Sequence, residues 1–342
     1  MKVAIDAQLS VGTATGIGEY VRGLADALRM EGVDAVELSE PSLDPWRFDR
    51  RVYWDQILLP QRVRQVGAEL LHCASGTVPL GTNVPYVVTV HDVAWLRVQT
   101  HVRPYARYYF GRFSIDRYKK AAAIAVDSAF SRDELLDVMP DLDPARVRVV
   151  YPGVARDFCE LPRTGGDGKT ILAIGTVERR KNLELLIEAL RMVEGARLIA
   201  VGPYTRYQED CIGLATSYRV RDRVEFRGYV AREELLELCS RAAVIAVPSL
   251  YEGFGYAAAQ ARCAGVPCIV SDQGSLPEIA GDVARVVAVS DVPAWADALE
   301  ATLRGDDDAR ARDARAAAIE RFAWAHSARD MISTYEIALN AV

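Results

Sequence analysis

The chain has 342 residues, half of them apolar, with a formal charge of −6 and six cysteines. This length exceeds the usual reach of one hydrophobic core and predicts two domains. The composition excludes a disordered chain, apolar runs such as "AVIAVPSL" fall far short of the ~20 residues a bilayer crossing needs, and the acid excess gives no reason to expect a nucleic-acid partner.

The cysteines lack C-x-x-C spacing, so buried thiols are expected rather than a zinc site or a disulfide framework. The start, "MKVAIDAQ", has no apolar signal core, which sets the expected location as the cytoplasm.

In chain order, "KVAIDA" reads as a strand, "GTATGIG" as a glycine-spaced loop, and Tyr20, Leu24 and Leu28 as the apolar face of a helix. "YVVTV" before His91, "AAIAV" before Asp127 and "VRVVY" before Pro152 are further strands separated by helical stretches. Such alternation predicts a parallel sheet covered on both faces. "LPRTGGDGK" (161–169) has no apolar period and reads as an interdomain hinge. After it the pattern restarts with "TILAIG", the helix "NLELLIEAL", and the strands "ARLIAVG", "VEFRGYV", "AVIAVPS", "PCIVSD" and "ARVVAV". The expectation is two doubly wound α/β domains, 1–160 and 169–321. A helix over 322–342 is placed to cross back to the first domain.

Ligands of such sheets sit beyond the carboxyl ends of the strands, so strand-to-helix loops come first as candidates. Gly12, Gly16 and Gly18 follow the first strand and let backbone approach a ligand. Their spacing matches neither G-x-G-x-x-G nor a G-K-[ST] phosphate loop, and a plain turn stands at even weight. In "GTVERRKN" three cations, Arg179, Arg180 and Lys181, gather at the start of a helix, where the macrodipole favours anions; a diphosphate is the expected counter-charge, against a solvated charge run. His91, ahead of Asp92, ends a buried strand at the ligand-facing side. "DLD" at Asp141–Asp143 imitates a metal-binding D-x-D, but Pro144 makes Asp143 a cap residue. "GDDDAR" near Asp307 reads as a polar turn.

"TGIGEYVRGL", "TVHDVAWL", "VDSAFSRDEL", "VVYPGV", "IGTVERRKNLELLIEAL", "VEFRGYV", "VPSLYEGFG" and "SDQGSLPEIAG" occur in that order across nearly the whole chain. Together they resemble the retaining glycosyltransferases of family 4. The resemblance implies the GT-B architecture, two doubly wound Rossmann-like domains facing a central cleft, and a hexosyltransferase using a nucleoside-diphosphate sugar, with GDP-mannose or a related donor preferred over a UDP-sugar. It implies that Gly16 and Gly18 face the donor phosphates and that Arg180 and Lys181 bind and stabilise the departing diphosphate, with no metal and no further cofactor required. Glu252 is implied to bond the donor sugar, the Phe254 and Gly255 backbone to line its pocket, and His91 to lie near sugar and acceptor.

The family pattern places a second glutamate eight residues after the first, for the nucleoside ribose. Here that position holds Gln260, which keeps one acceptor oxygen and lacks the charge. The acceptor is implied to be a glycan, a lipid-linked or a small molecule. "RPYARYYFGRFSIDRYKK" (103–120) mixes six basic residues with six aromatics and one acid; it suits contact with the inner face of an anionic membrane, or an aromatic helix with a basic outer face. A sugar-nucleotide epimerase or phosphorylase on the same fold, and a donor-binding protein with a degenerate site, are the alternatives. Epimerisation needs acid/base groups that are not apparent, and the intact Glu252, Arg180 and Lys181 weigh against a degenerate site.

Overall fold

The computed structural model describes residues 1–12, 16–97, 108–163 and 165–341. Contacts divide the chain into two units, residues 1–153 with 323–342, and residues 154–322. The first is built on β1 (Lys2–Asp6), β2 (Asp34–Leu38), β3 (Leu70–Cys73), β4 (Tyr86–Val90), β5 (Ala123–Val126) and β6 (Val147–Val149), in the order β2-β1-β3-β4-β5-β6. Every pairing is parallel. Side chains alternate across a strand, so Val3 and Ile5 enter one buried cluster and Ala4 the other, and both faces are covered.

Two of these strands, β2 and β3, did not stand out from the sequence. "DAVEL" carries two acids and "LLHC" is only four residues long. Their place comes from pairing on either side of β1, with Lys2 opposite Asp34 and Val3 opposite Leu70.

The second unit repeats the plan with β7 (Thr170–Ile174), β8 (Arg197–Val201), β9 (Val224–Gly228), β10 (Val244–Val247), β11 (Cys268–Ser271) and β12 (Arg285–Val287), ordered β12-β11-β10-β7-β8-β9. Chain order runs outward from β7 to β9 and then jumps to β10 on the other side. The switch point therefore lies between β7 and β10, and ligands of open parallel sheets bind beyond the strand ends there. In the first sheet the corresponding point lies between β1 and β3.

The division falls at Gly153, ahead of the 161–169 stretch read as a hinge. Phe158 is fully buried in the second unit, beneath the Arg232 guanidinium at 4.4 Å, and Arg232 also bonds Asp157. Gly166 packs so closely on Ala243 that a Cβ would come within 2.4 Å of its Cα, and Arg163 donates to the Ala242 carbonyl at 3.0 Å. A Gly/Pro-rich stretch here marks tight packing, not slack.

The helix Trp324–Asn340 belongs to the first unit. Ala328, Met331, Tyr335 and Ala338 recur at helical spacing and join Tyr20, Leu24 and Leu28 of the helix Gly16–Met30 in one core. Where the last helix starts, the Trp324 ring occupies the space that a side chain at Gly23 or Gly153 would need, at 2.2 and 2.3 Å from the built Cβ positions. Among the described residues no helix is long and apolar enough to cross a membrane.

Candidate functional site

In the second unit the loops after β7 and β10 bring three charges together. Gly175, just past β7, has a φ of +134°, and its bare Cα faces Lys181, whose Cε lies 3.3 Å from where a Cβ would stand. Arg179–Lys181 form a 3-10 turn of their own, and Asn182, in the left-handed region at φ 52°, separates it from the helix Leu183–Ala189. The cations thus precede that helix rather than occupy its first turn, as the sequence had suggested. Asn182 Nδ2 donates to the Pro248 carbonyl and Leu250 N to the Arg180 carbonyl, which ties the two loops to each other.

Glu252 is the focus of this arrangement. Lys181 Nζ donates to its Oε1 at 2.5 Å, Ser249 Oγ to the same oxygen at 2.7 Å, and Arg180 Nη1 to Oε2 at 3.1 Å. Arg180 also holds the Tyr251 carbonyl and Glu178. Burial alone would push the Glu252 carboxyl up, but Lys181 and then Arg180 hold it below the usual carboxylate range. Glu252 is therefore an anion with two cations on it. Arg180 and Lys181 side chains are 24% and 20% exposed, whereas Arg179 is 65% exposed and pairs instead with Asp210 at 2.6 Å.

The backbone of Glu252 is fixed from the far side. Ser275 donates to its carbonyl through both N and Oγ at 3.1 Å, and Gly274, at φ +64°, packs so close that a Cβ would stand 2.6 Å from that oxygen. Gly255, at φ +88°, starts the helix Tyr256–Ala264, in which Gln260 is 6% exposed. Its amide makes no hydrogen bond to the described residues, so its donors and acceptor are available to a ligand. The Phe254 ring is buried edge-on to Tyr256 and Phe322, which leaves only its backbone for a ligand.

The other expected residues lie in the first unit. Gly16 and Gly18 stand in the first turn of the helix Gly16–Met30, not in a loop; residues 13–15 lie outside the described set. His91 follows β4, with Nδ1 donating to Asp127 Oδ2 at 2.7 Å and Nε2 to the Ala74 carbonyl at 2.9 Å. Tyr20 meets the ring edge-on at 5.0 Å. Burial opposes protonation of His91, but Asp127 outweighs it and raises the histidine above its ordinary range. Both ring nitrogens face oxygen acceptors, an arrangement that favours the protonated ring. His72, by contrast, is buried between Thr89 and Tyr335 and pushed down to about 3.

At the carboxyl ends of β1 and β3 lies a network the sequence did not signal. Arg51 Nη2 donates to Asp6 at 3.0 Å and its Nε to Asp55 at 3.0 Å, with Trp54 Nε1 on Asp6 at 2.8 Å and Tyr109 on Asp55 at 2.9 Å. Ser75 and Thr77 also take part. Asp55 is pushed up to about 6 by burial against the pull of Arg51. No spacing rule joins residues 6, 51 and 55; only the fold does.

Asp143 caps the turn before β6 by accepting from Ala145 N at 3.0 Å, as its neighbour Pro144 suggested. Asp307 differs from the polar-turn reading: it is 7% exposed and bonds Arg285 and Thr302. Of the 103–120 stretch, 103–107 lie outside the described residues; beyond them Tyr109 and Tyr118 are buried while Arg112, Lys119 and Lys120 face out. Among the described residues no group of three His, Cys, Asp or Glu could hold a metal ion.

Two parallel, doubly wound six-stranded units define the GT-B class of fold. The model for "Glycosyltransferase Family 4" matches residues 14–158 and that for "Glycosyl transferases group 1" matches residues 162–321. The chain belongs to glycosyltransferase family 4. A D-inositol 3-phosphate glycosyltransferase of Xylanimonas cellulosilytica is 33% identical over 74% of this chain and 66% of its own length. An "MMP alpha-(1->4)-mannosyltransferase" of Mycolicibacterium hassiacum is 28% identical over 81% of this chain and 70% of its own. The sucrose-phosphate synthase of Thermosynechococcus elongatus shares the fold over the full length of both chains, with a TM-score of 0.73 at 22% identity. The chain spans about half the length of several curated relatives it matches.

Proposed function

We propose that this protein is a retaining glycosyltransferase. It moves a hexose from a nucleoside-diphosphate sugar, GDP-mannose or a related donor, to a glycan, lipid-linked or small-molecule acceptor. The observation that carries the reading is the buried Glu252 with Lys181 and Arg180 both bonded to it at the switch point of the second sheet. A pair of cations already oriented by a carboxylate needs little reorganisation when a diphosphate takes on charge as it leaves, which is the condition for electrostatic stabilisation of a transition state.

In this reading Arg180 and Lys181 hold the diphosphate, and Glu252 orients them while bonding hydroxyls of the donor sugar. The Phe254 and Gly255 backbone lines the sugar pocket and the Gln260 amide meets the nucleoside. Gly16 and Gly18 present backbone to the phosphates, and the His91 ring lies near the sugar and acceptor. Attack comes from the face the diphosphate leaves, with a phosphate oxygen taking the acceptor proton. Two fixed cations supply the charge that a divalent ion supplies elsewhere, so turnover is expected to persist in chelator.

Support for mannose comes from the named activity of the Mycolicibacterium hassiacum relative. Contact with an anionic membrane through 103–120 belongs to the same proposal, supported by the outward Arg112, Lys119 and Lys120; liposome sedimentation that fades with salt is its test. For the donor, thermal-shift screening against GDP, UDP and ADP is decisive. At a hundred-fold excess over Kd the matching nucleotide stabilises by about 2.7 kcal/mol. If none of the three raised the midpoint, the donor reading would be abandoned.

A further inference from the structure

Two thiols of the second unit lie side by side. Cys159 ends the short helix Arg156–Cys159, and Cys263 stands in the last turn of the helix Tyr256–Ala264, against which the short helix packs. One guanidinium ties both backbones together: Arg315 Nε donates to the Cys263 carbonyl at 3.0 Å, and its Nη2 to the Cys159 and Leu161 carbonyls at 2.7 and 2.9 Å. A planar fork holds its acceptors at a fixed spacing, so the two cysteines cannot drift apart without breaking these bonds. Cys263 Sγ lies 3.6 Å from the Ala318 carbonyl, and the two thiols hydrogen-bond to each other.

All six cysteines lie among the described residues, and they differ in access. Cys73, Cys211, Cys239, Cys263 and Cys268 are buried, whereas Cys159 is half-buried. Burial pushes the Cys73, Cys211, Cys239 and Cys268 thiols up, which keeps them protonated and inert. Cys159 goes the other way: the hydrogen bond with Cys263 and the nearby Arg315 hold it below the usual thiol range against the effect of burial. Cys263 is pushed up, first by the same bond and then by its own burial. One thiol is thus an accessible nucleophile, and its neighbour a protonated partner within reach of whatever bond that nucleophile forms.

We infer that Cys159 and Cys263 form a reversible dithiol–disulfide site, in which Cys159 attacks a low-molecular-weight disulfide such as glutathione disulfide and Cys263 resolves the product. The Cys159 thiolate attacks one sulfur of glutathione disulfide, that S–S bond breaks, and the first glutathione leaves, taking up the proton that Cys159 released. Cys263 then attacks the Cys159 sulfur and passes its proton to the second glutathione as it departs. The protein dithiol gives up two electrons and two protons, and glutathione disulfide becomes two glutathione thiols. Excess glutathione runs the same steps backwards, which suits a compartment where thiols are normally reduced. The pair lies wholly in the second unit, and its chemistry is independent of the transferase reading.

The test uses the full chain, reduced, desalted and treated with glutathione disulfide. Thiols counted in denaturant should fall from six to four, a peptide digest should show Cys159 joined to Cys263, and dithiothreitol should restore all six. In a native pulse with iodoacetamide, Cys159 should react at least about tenfold faster than any other cysteine. Cys159→Ser changes a half-buried position and should keep all its remaining thiols under the same treatment. Cys263→Ser and Cys263→Ala remove the resolving thiol and should trap glutathione on Cys159 as a mixed disulfide that the wild-type chain does not retain; the serine keeps close to the native volume should the alanine fail to fold.

Six unreacted thiols in the wild-type chain overturn the inference, as does a bond between any other pair. Equal retention of glutathione on Cys159 by the wild-type chain and by Cys263→Ser overturns it too, because Cys263 would then resolve nothing.

Discussion

Replacing Gly274 by alanine moves Glu252 without touching its side chain. The added Cβ would stand 2.6 Å from the Glu252 carbonyl oxygen and 2.8 Å from its nitrogen, both backbone atoms that cannot swing aside. The oxygen must retreat by about 0.8 Å to reach ordinary contact, away from the two Ser275 donors that hold it. Overpacking of this kind costs about 1–3 kcal/mol, and an alanine at φ +64° adds about 1–2 kcal/mol. A total near 3 kcal/mol lowers the melting midpoint of a unit of this size by roughly 6–12 °C.

Calorimetry with and without the matching nucleotide is the assay, because the displaced Glu252 should also carry Lys181 and Arg180 out of place and weaken binding. Gly213 serves as a control. It lies within the helix Tyr207–Ser217 with nothing within 4 Å of a built Cβ, so Gly213→Ala should stabilise by about 0.5–1 kcal/mol. A fall of less than 2 °C for Gly274→Ala, with nucleotide binding unchanged, would refute the tight seat assigned to Glu252.

Lys181→Ala should leave the melting midpoint within a few degrees and slow transfer by a factor of at least about a hundred, and near-normal turnover would remove Lys181 from the reaction. Because the folded carboxyl of Glu252 lies below its unfolded value, its stabilisation is complete above the ordinary glutamate range and is lost as pH falls through the folded value. Glu252→Gln should flatten that acid limb in urea titrations. His91 has the opposite sign: its contribution is present below the ordinary histidine range and lost as pH rises through the raised folded value, which a proton NMR titration of the ring would show directly. Gln260→Ala should weaken nucleoside diphosphate binding about tenfold, read by calorimetry, whereas an unchanged dissociation constant would end that contact.

Much of the fold was legible because buried parallel strands are short continuous apolar runs, and "YVVTV", "TILAIG" and "AVIAVPS" are such runs. "DAVEL" was not legible, since its identity as β2 comes from pairing with β1 and not from its own pattern. The donor-side loops could be read from position, with "ERRKN" and "YEGFG" each following a strand. That Lys181 and Arg180 grip Glu252, 71 and 72 residues on, follows only from the jump in strand order that makes β7 and β10 neighbours. Ser249 and Gly274 were missed for the same reason, and Asp127 carried the faint signal of an acid at a strand's carboxyl end. The Arg51 network had no signal at all, because an arginine in a surface-like stretch, "FDRRVYWDQ", gives no hint that one of two neighbours is buried.

The last helix has a consequence for synthesis. Val154–Phe322 is contiguous in sequence and has its own sheet and core, so it can close on itself without any residue from outside that span. The earlier-made portion must wait, because Met331 and Tyr335 fill its interior and are among the later residues to be joined. The first sheet, although made earlier, is thus completed only by residues joined after the whole of the second unit.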